Sequence, residues 1–346
     1  MEVSRALYMP VTEPSGAGEA RRLVQYLAAS LGMDDTDAGR AALVATELAG
    51  NLVKHAARGG HLLAQPAAWS GGAGVEILSL DAGPGMANVA RCLRDGFSTA
   101  GSPGTGMGAV SRMADEFDVH SAPGVGTALA ARVWAGGRRD APGAGPALAG
   151  VSLPKPGQEV CGDAWAASER DGRTVVLVAD GLGHGPDAAA ASREAVRAFE
   201  AAPGSDPVEL LERVHAALRA TRGAAASVAV VDRAARSVRY AGIGNIAATI
   251  LSGGESRSMV SLGGIVGHEA RRIQAFEYPF PPGALLVLHS DGLGSRWTLD
   301  RYPGLAARDP LVVAGVLFRD FVRGSDDATV VAVRDRPASR SLAGSQ

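Results

Sequence analysis

Cysteine is nearly absent from this 346-residue chain, which carries only Cys92 and Cys161. Two thiols cannot build a disulfide scaffold or the paired CxxC motifs of a zinc knuckle, so a reducing, cytoplasmic setting is expected. An excess of one charge is also lacking: 34 Lys and Arg stand against 36 Asp and Glu, a formal net charge of −2. With no global basic field, neither nucleic acid nor an anionic membrane is an expected partner. No apolar run approaches the roughly 18 residues of a membrane span. The opening MEVSRALYMPVTEP has no charged-then-apolar signal pattern. Aromatics are only 5%, and Trp69, Trp134, Trp165 and Trp297 are expected to pack in cores rather than to form a stacking platform.

What is present is 46% hydrophobic residues, enough for ordinary globular cores, and 46 glycines, many in tight clusters. The length suggests two domains. Residues 135–150 (AGGRRDAPGAGPALAG) show neither apolar period nor strand alternation and read as a flexible linker. Its reach would be about 20–24 Å, from roughly 5–6 Å × √n for such chains. The expected organisation is therefore 1–134, a linker 135–150, a second domain 151–335, and a disordered tail 336–346. Helical patterns cover 18–31, 37–57 and 110–116 in the first half, and 187–202, 207–220 and 309–322 in the second. Strand patterns cover 74–79, 116–120 and 127–134, then 174–179, 226–231, 237–241, 246–251, 284–289 and 328–333. The class is α+β.

Four features of the first half stand in an order that can build a nucleotide site. Glu47 and Asn51 share one face of the long helix, one turn apart. Asp81-Ala-Gly83-Pro-Gly85 follows a strand directly. Gly104-Thr105-Gly106-Met107-Gly108 is followed at once by a helix, and Gly124-Val-Gly126-Thr127 lies between the last strands. A carboxylate at a strand end can accept from the exocyclic amine of a base. Glycine-rich backbone and a helix N-terminus suit phosphates. An Asn oxygen suits Mg²⁺, and a Glu one turn away can take a proton from an attacking hydroxyl. A lone Gly-x-Gly is most often a turn. The ordered set is more specific, and it is neither a Walker A loop nor a Rossmann fingerprint.

The run DAGPGMANVARCLRDGFSTAGSPGTGMGAVSRMADEFDVHSAPGVGTALAARVW (81–134) resembles the GHKL ATPase/kinase superfamily, and more closely the anti-sigma switch serine kinases of the RsbT type. The resemblance covers 1–134 and implies a Bergerat-type α/β sandwich. It implies that Asn51 binds Mg²⁺, Glu47 acts as base, Asp81 reads adenine with support from Thr127, Gly83 and Gly85 shape the pocket, and Gly104–Gly108 cover the phosphates of ATP. The family phosphorylates a serine on a small STAS-domain protein. A sensor histidine kinase would need a dimerising hairpin with a phospho-accepting His, and none is apparent.

In the second half, aspartates sit at strand ends beside glycine or another acid: Gly162-Asp163, Asp180-Gly181, Asp291-Gly292 and Asp326-Asp327. Each Asp-Gly alone reads as a turn. Gathered carboxylates without cysteines select Mn²⁺ or Mg²⁺, because like charges so close need a cation. Two ions sharing a water can drive in-line attack on phosphorus without an enzyme nucleophile. DGLGHG (180–185), Ser290-Asp291-Gly292 and Asp326-Asp327-Ala-Thr329, with GQEVCGDAW and YAGIGN, resemble the metal-dependent PPM phosphatases, in the SpoIIE-like branch and especially the RsbX type. That implies an αββα sandwich over 151–335 and two ions held by Asp180, the Gly181 carbonyl, Asp291 and Asp326, with Asp163 more peripheral. The Asp-x-x-Thr spacing from Thr329 favours Asp326, with Asp327 the open alternative. His184 is a candidate general acid or a plain loop histidine, and no arginine is evident as a phosphate clamp.

The expectation is a fused switch protein that phosphorylates a STAS-domain protein and dephosphorylates its phosphoserine form, with partners extending to a further phosphatase or sigma regulator. Two alternatives are a phosphatase with a nucleotide-sensing docking domain and a non-enzymatic sequestering protein of the anti-sigma type.

Overall fold

The computed structural model describes residues 6–56, 59–67, 72–93, 106–137, 147–202, 204–270 and 272–335. The chain sorts into two compact units, and the division is not at a single point. One unit joins Ser4–Arg139 with Thr298–Asp320; the other joins Asp140–Trp297 with the segment from Phe321 on.

The first unit begins with β1 (Leu7–Val11), α1 (Ser15–Ser30), α2 (Asp35–His55), β2 (Gly60–Pro66) and β3 (Gly74–Asp81). It continues with a single turn α3 (Val89–Cys92), α4 (Gly106–Met113), β4 (Glu116–Ala122) and β5 (Gly126–Trp134). The strands form one antiparallel sheet, ordered β1-β2-β3-β5-β4. Helix α2 starts where Asp34 caps it, its carboxylate accepting from the Asp37 N–H at 2.8 Å. Asp35 and Asp37 in the first turn and Lys54 and His55 in the last complement the helix dipole. Ala38, Ala41, Ala45, Leu48, Ala49 and Leu52 recur at helical spacing and are buried, so α2 lies close to α1 and to the Val75 and Ile77 face of β3. The predicted helix over 110–116 starts earlier and stops at Met113, whose carbonyl accepts from the Arg40 guanidinium of α2 at 2.9 Å.

The second unit contains β6 (Ala147–Leu153), β7 (Asp163–Arg170), β8 (Arg173–Gly181), α5 (Pro186–Ala201), α6 (Pro207–Ala217), β9 (Ala224–Asp232) and β10 (Ser237–Ile243). After these come β11 (Ala247–Ser252), β12 (Glu255–Ser258), β13 (Phe276–Pro279), β14 (Leu285–His289), α7 (Pro310–Phe321) and β15 (Ala328–Arg334). Two five-stranded sheets result, β13-β10-β9-β8-β7 and β12-β11-β14-β15-β6. Helices α5 and α6 cover the first of them through Val196, Phe199, Leu210, Leu211 and Val214. The two sheets meet where the Trp165 indole of β7 lies over Gly150 of β6, where a Cβ would come within 2.8 Å of the ring.

Two boundaries differ from the sequence reading. Strand β6 begins at Ala147, inside the stretch read as linker, because Ala147–Leu153 pairs along all of β15; most of the linker (138–146) and the tail 336–346 lie outside the described residues. The second domain is also discontinuous, since Thr298–Asp320, including nearly all of α7, groups with the first unit.

The docking of this segment is specific. At Gly315 of α7 an added Cβ would come within 2.7 Å of Leu78 and 3.0 Å of Leu80, so the helix backbone rests on the face of β3 opposite α1 and α2. Asp309 caps α7 through the Leu311 N–H at 2.9 Å and grips Arg132 of β5 in a two-pronged pair at 2.8 and 2.9 Å. Arg132 also donates to Glu76 at 2.9 Å, and the two side chains are only 8% and 3% exposed. Phe318 meets Tyr8 edge-on at 6.2 Å between centroids. Among the described residues no helix is long and apolar enough to cross a membrane.

Candidate active sites

In the first unit, Asp81 ends β3 opposite Thr127 of β5. Its carboxylate accepts from the Gly83 N–H at 2.7 Å. Burial pushes the Asp81 carboxyl up, and the Gly83 N–H, the Arg319 charge and Thr127 pull it back toward ionisation. The Thr127 hydroxyl lies 2.9 Å from Ser121 Oγ, which donates to the Gly126 carbonyl at 3.0 Å and accepts from the Met86 N–H at 2.9 Å. Ser121 was not singled out by the sequence; it fixes Thr127 and the turn after Gly85 at once. Gly85 has φ +69°, and a Cβ there would collide with the Ala122 carbonyl.

The Asp81 turn is seated against the end of the helix that carries Glu47 and Asn51: a Cβ at Gly83 would stand 3.1 Å from Ala56 Cα. Asn51 Nδ2 is buried and has no hydrogen-bond partner. A buried amide without a partner is costly, and a nucleotide phosphate or its Mg²⁺ would satisfy this one, since either amide atom can be turned toward the ligand. Helix α4, begun by Gly106 and carrying Met107 and Gly108, packs on α2. Gly104 and Thr105 lie outside the described residues. Lys54 is exposed at the helix end.

In the second unit, Asp163 and Asp180 are direct partners across the β7–β8 ladder. The Asp163 carboxylate accepts from Ser290 Oγ at 2.6 Å, while its Oδ1 is buried with no partner. Ser290 also accepts from the Thr329 N–H at 2.9 Å, so it ties the Asp291 loop to β15. Burial pushes the Asp180 carboxyl up, and the charges of Asp163, Asp291 and Asp326 push it further. Burial also raises Asp163. Asp291 accepts from Asn245 Nδ2 at 2.8 Å. Asn245, in the YAGIGN stretch, was not marked as functional; its signal was an amide following a glycine turn at a strand end.

The neighbouring acids divide their work. Both oxygens of the buried Asp327 are taken by backbone donors, the Lys155 N–H at 2.7 Å and the Gly162 N–H at 2.9 Å. The charge of Asp326 raises the Asp180 carboxyl, and that of Asp327 raises Asp163. At Gly181 a Cβ would collide with the Ala188 carbonyl, and at Gly292 with the Asp327 carbonyl, so the aspartate-bearing strand ends close to this spacing only with glycine. His184 is exposed in the turn before α5. Cys161 is no nucleophile: burial pushes its thiol up and the Asp163 charge adds to this.

These residues fit divalent cations. The unpartnered Asp163 Oδ1 and the mutual repulsion around Asp180 are the features a cation would relieve. Among the described residues no three acidic, His or Cys side chains form a ready-made cage around one ion. Repulsion opposes such convergence, and a dinuclear site divides its protein ligands between two ions, with a carbonyl and water completing each.

Comparison with known proteins agrees with both halves. Residues 11–133 match the histidine kinase-like ATPase domain, and residues 170–335 match stage II sporulation protein E (SpoIIE). The serine/threonine-protein kinase RsbT of Bacillus subtilis (strain 168) is 36% identical over 115 residues, 33% of this chain and 86% of RsbT. The phosphoserine phosphatase RsbX of the same organism is 28% identical over 142 residues, 41% of this chain and 71% of RsbX. A solved chain of the bacterial stressosome, described as a modular system adapted to control secondary messenger signalling, is similar with a TM-score of 0.50 and 28% identity, covering 55% of this chain and 99% of that one. The chain belongs to the RsbT-like kinases of the histidine kinase-like ATPase family through its N-terminal half and carries a SpoIIE-type PPM serine/threonine phosphatase domain in its C-terminal half.

Proposed function

We propose that this chain is a bifunctional switch of a partner-switching pathway in the cytoplasm. The N-terminal half moves the γ-phosphoryl group of ATP onto a serine of a STAS-domain protein, and the C-terminal half hydrolyses that class of phosphoserine. The observation that carries the phosphatase reading is the pairing of Asp163 with Asp180 across the β7–β8 ladder, with Asp163 Oδ1 buried and unpartnered.

In the kinase half, Asp81 and Thr127 would hold the adenine amine and Asn51 would hold Mg²⁺, which would neutralise phosphate charge, with the glycine-rich start of α4 on the phosphate side. Glu47 takes the proton of the attacking serine hydroxyl. The serine oxygen bonds to the γ-phosphorus as the bond to the ADP oxygen breaks.

In the phosphatase half, Asp180, the Gly181 carbonyl, Asp291 and Asp326 would hold two Mn²⁺ or Mg²⁺ ions, with Asp163 placed to act through water. Bound ions of this kind lower the pKa of water and neutralise phosphate charge. Asn245 steadies Asp291, and Ser290 steadies Asp163. Water gives up a proton to solvent and adds to phosphorus, the serine oxygen leaves, and that oxygen takes up a proton, the role proposed for His184.

The test pairs two substitutions in the full chain. Asn51→Ala should abolish phosphorylation of the STAS partner and spare phosphoserine hydrolysis, whereas Asp180→Asn should do the reverse. Phosphorylation by the Asn51→Ala protein, or hydrolysis by Asp180→Asn, contradicts the assignment.

A further inference from the structure

Helix α7 lies in sequence between Asp291 and Asp326, both assigned above to the phosphatase site, yet its segment Thr298–Asp320 packs with the kinase unit. Near its end, Arg319 reaches the nucleotide motif. Its Nη1 donates to the Asp81 carbonyl at 2.6 Å and to the Thr127 carbonyl at 3.4 Å. Asp320 holds the rest of the guanidinium in a two-pronged pair at 2.8 and 2.6 Å and itself accepts from the Tyr302 hydroxyl at 2.8 Å. The Arg319 side chain is 8% exposed, so this is a built arrangement and not a surface contact.

Only a few residues further on, the chain is pinned to the Asp291 loop. The Phe321 carbonyl accepts from the Gly294 N–H, and the Gly292 carbonyl accepts from the Arg323 N–H, both at 2.9 Å. The end of α7 therefore bonds the two residues proposed to read adenine, and the chain runs on from it into the segment bonded to the Asp291 loop.

We propose that Arg319 is a positioning residue of the nucleotide site, holding the β3 and β5 ends that carry Asp81 and Thr127, and that α7 thereby links nucleotide binding to phosphatase turnover. This rests on the reading of Asp81 and Thr127 as the adenine contact. The guanidinium fixes the two carbonyls together and places a positive charge beside the Asp81 carboxylate, favouring the acceptor form that an adenine amine requires. A nucleotide that tightens this corner changes the set of Arg319, and the covalently continuous turn at Phe321–Arg323 passes the change to the Asp291 loop. Linkage makes the effect reciprocal for binding.

The experiment uses the full chain in excess Mg²⁺. ADP and GDP affinities are measured by calorimetry for wild type, Arg319→Gln and Arg319→Lys. Hydrolysis of p-nitrophenyl phosphate is then followed with and without saturating ADP. In Arg319→Gln, ADP affinity should fall about tenfold and the preference for ADP over GDP should collapse by a similar factor. Arg319→Lys should recover most of both, because one ammonium can still donate to the Asp81 carbonyl. A purely structural loss would weaken ADP and GDP alike and leave their ratio fixed, which overturns the proposal. In wild type, ADP should change p-nitrophenyl phosphate turnover about threefold or more, and Arg319→Gln should blunt this response. Unchanged ADP affinity in Arg319→Gln, or wild-type turnover indifferent to ADP, overturns the proposal while leaving the kinase reading intact. Failure of wild type to bind ADP at all overturns both.

Discussion

Asp163 and Asp180 face each other directly across the β7–β8 ladder, both largely withdrawn from water. Two carboxylates so placed cannot both carry full charge without help, and the pair sits where Asp291 and Asp326 add still more negative charge. On the proposed reading, cations that neutralise this charge would add stability as well as chemistry. Adding Mn²⁺ at about 100 times its dissociation constant should stabilise the wild-type chain by about 2.7 kcal/mol. The Asp180→Asn protein should gain much less, as read by thermal melting with and without metal. Equal metal-induced stabilisation in both would remove Asp180 from the metal site.

Asp326 and Asp327 should fail in different ways when substituted. Asp327→Ala leaves the Lys155 and Gly162 N–H groups without acceptors and should cost about 1–3 kcal/mol in urea unfolding. Asp326→Asn should leave unfolding nearly unchanged and raise the Mn²⁺ concentration needed for half-maximal p-nitrophenyl phosphate hydrolysis. The opposite pattern would exchange their roles.

The Arg132–Glu76–Asp309 cluster predicts a large local cost. Arg132→Met takes from the buried Glu76 and the partly buried Asp309 the one cation they share. It should destabilise the protein by about 3–5 kcal/mol, measured by denaturant unfolding. A loss under about 1 kcal/mol, the range of exposed pairs, would mean that the cluster is open to solvent.

Acid should loosen the same face. Burial lowers the His120 pKa, and the ring lies 3.3 Å from the Pro303 carbonyl. A histidine whose folded pKa lies below its unfolded value binds its proton more readily when unfolded, so stability is lost as pH falls through about 6.5, the ordinary histidine value. Wild type should lose more stability than His120→Asn between neutrality and pH about 5.5. Parallel stability curves would show that His120 is not held neutral by the fold.

Much of this architecture is written locally. The apolar strands TVVLVA and ALLVLH announce β8 and β14, and the aspartates that follow them are readable as strand-end acids. Asp34 at the head of α2 and the Glu47–Asn51 spacing are likewise local signals. What the sequence hides is whatever depends on distant partners. Strand β6 has the composition of a connector and becomes a strand because β15 pairs with it and Trp165 needs the space at Gly150. The helical pattern of α7 is plain, but its evenly apolar surface does not say which sheet it will cover. The Arg319 contact with Asp81 spans 238 positions of sequence, which no local pattern encodes. Asp327 looks the equal of Asp326 until its carboxylate is found bonded to two backbone donors.

The central claim is that one chain both adds and removes a serine phosphate. Its most direct test is a time course with γ-labelled ATP, Mg²⁺ with Mn²⁺, and a purified STAS-domain protein. The account predicts that label on the STAS serine accumulates with Asp180→Asn, appears only transiently or at a low level with wild type, and never appears with Asn51→Ala. Absence of labelled serine in the Asp180→Asn reaction, or equal labelling by the wild-type and Asp180→Asn proteins, would contradict it.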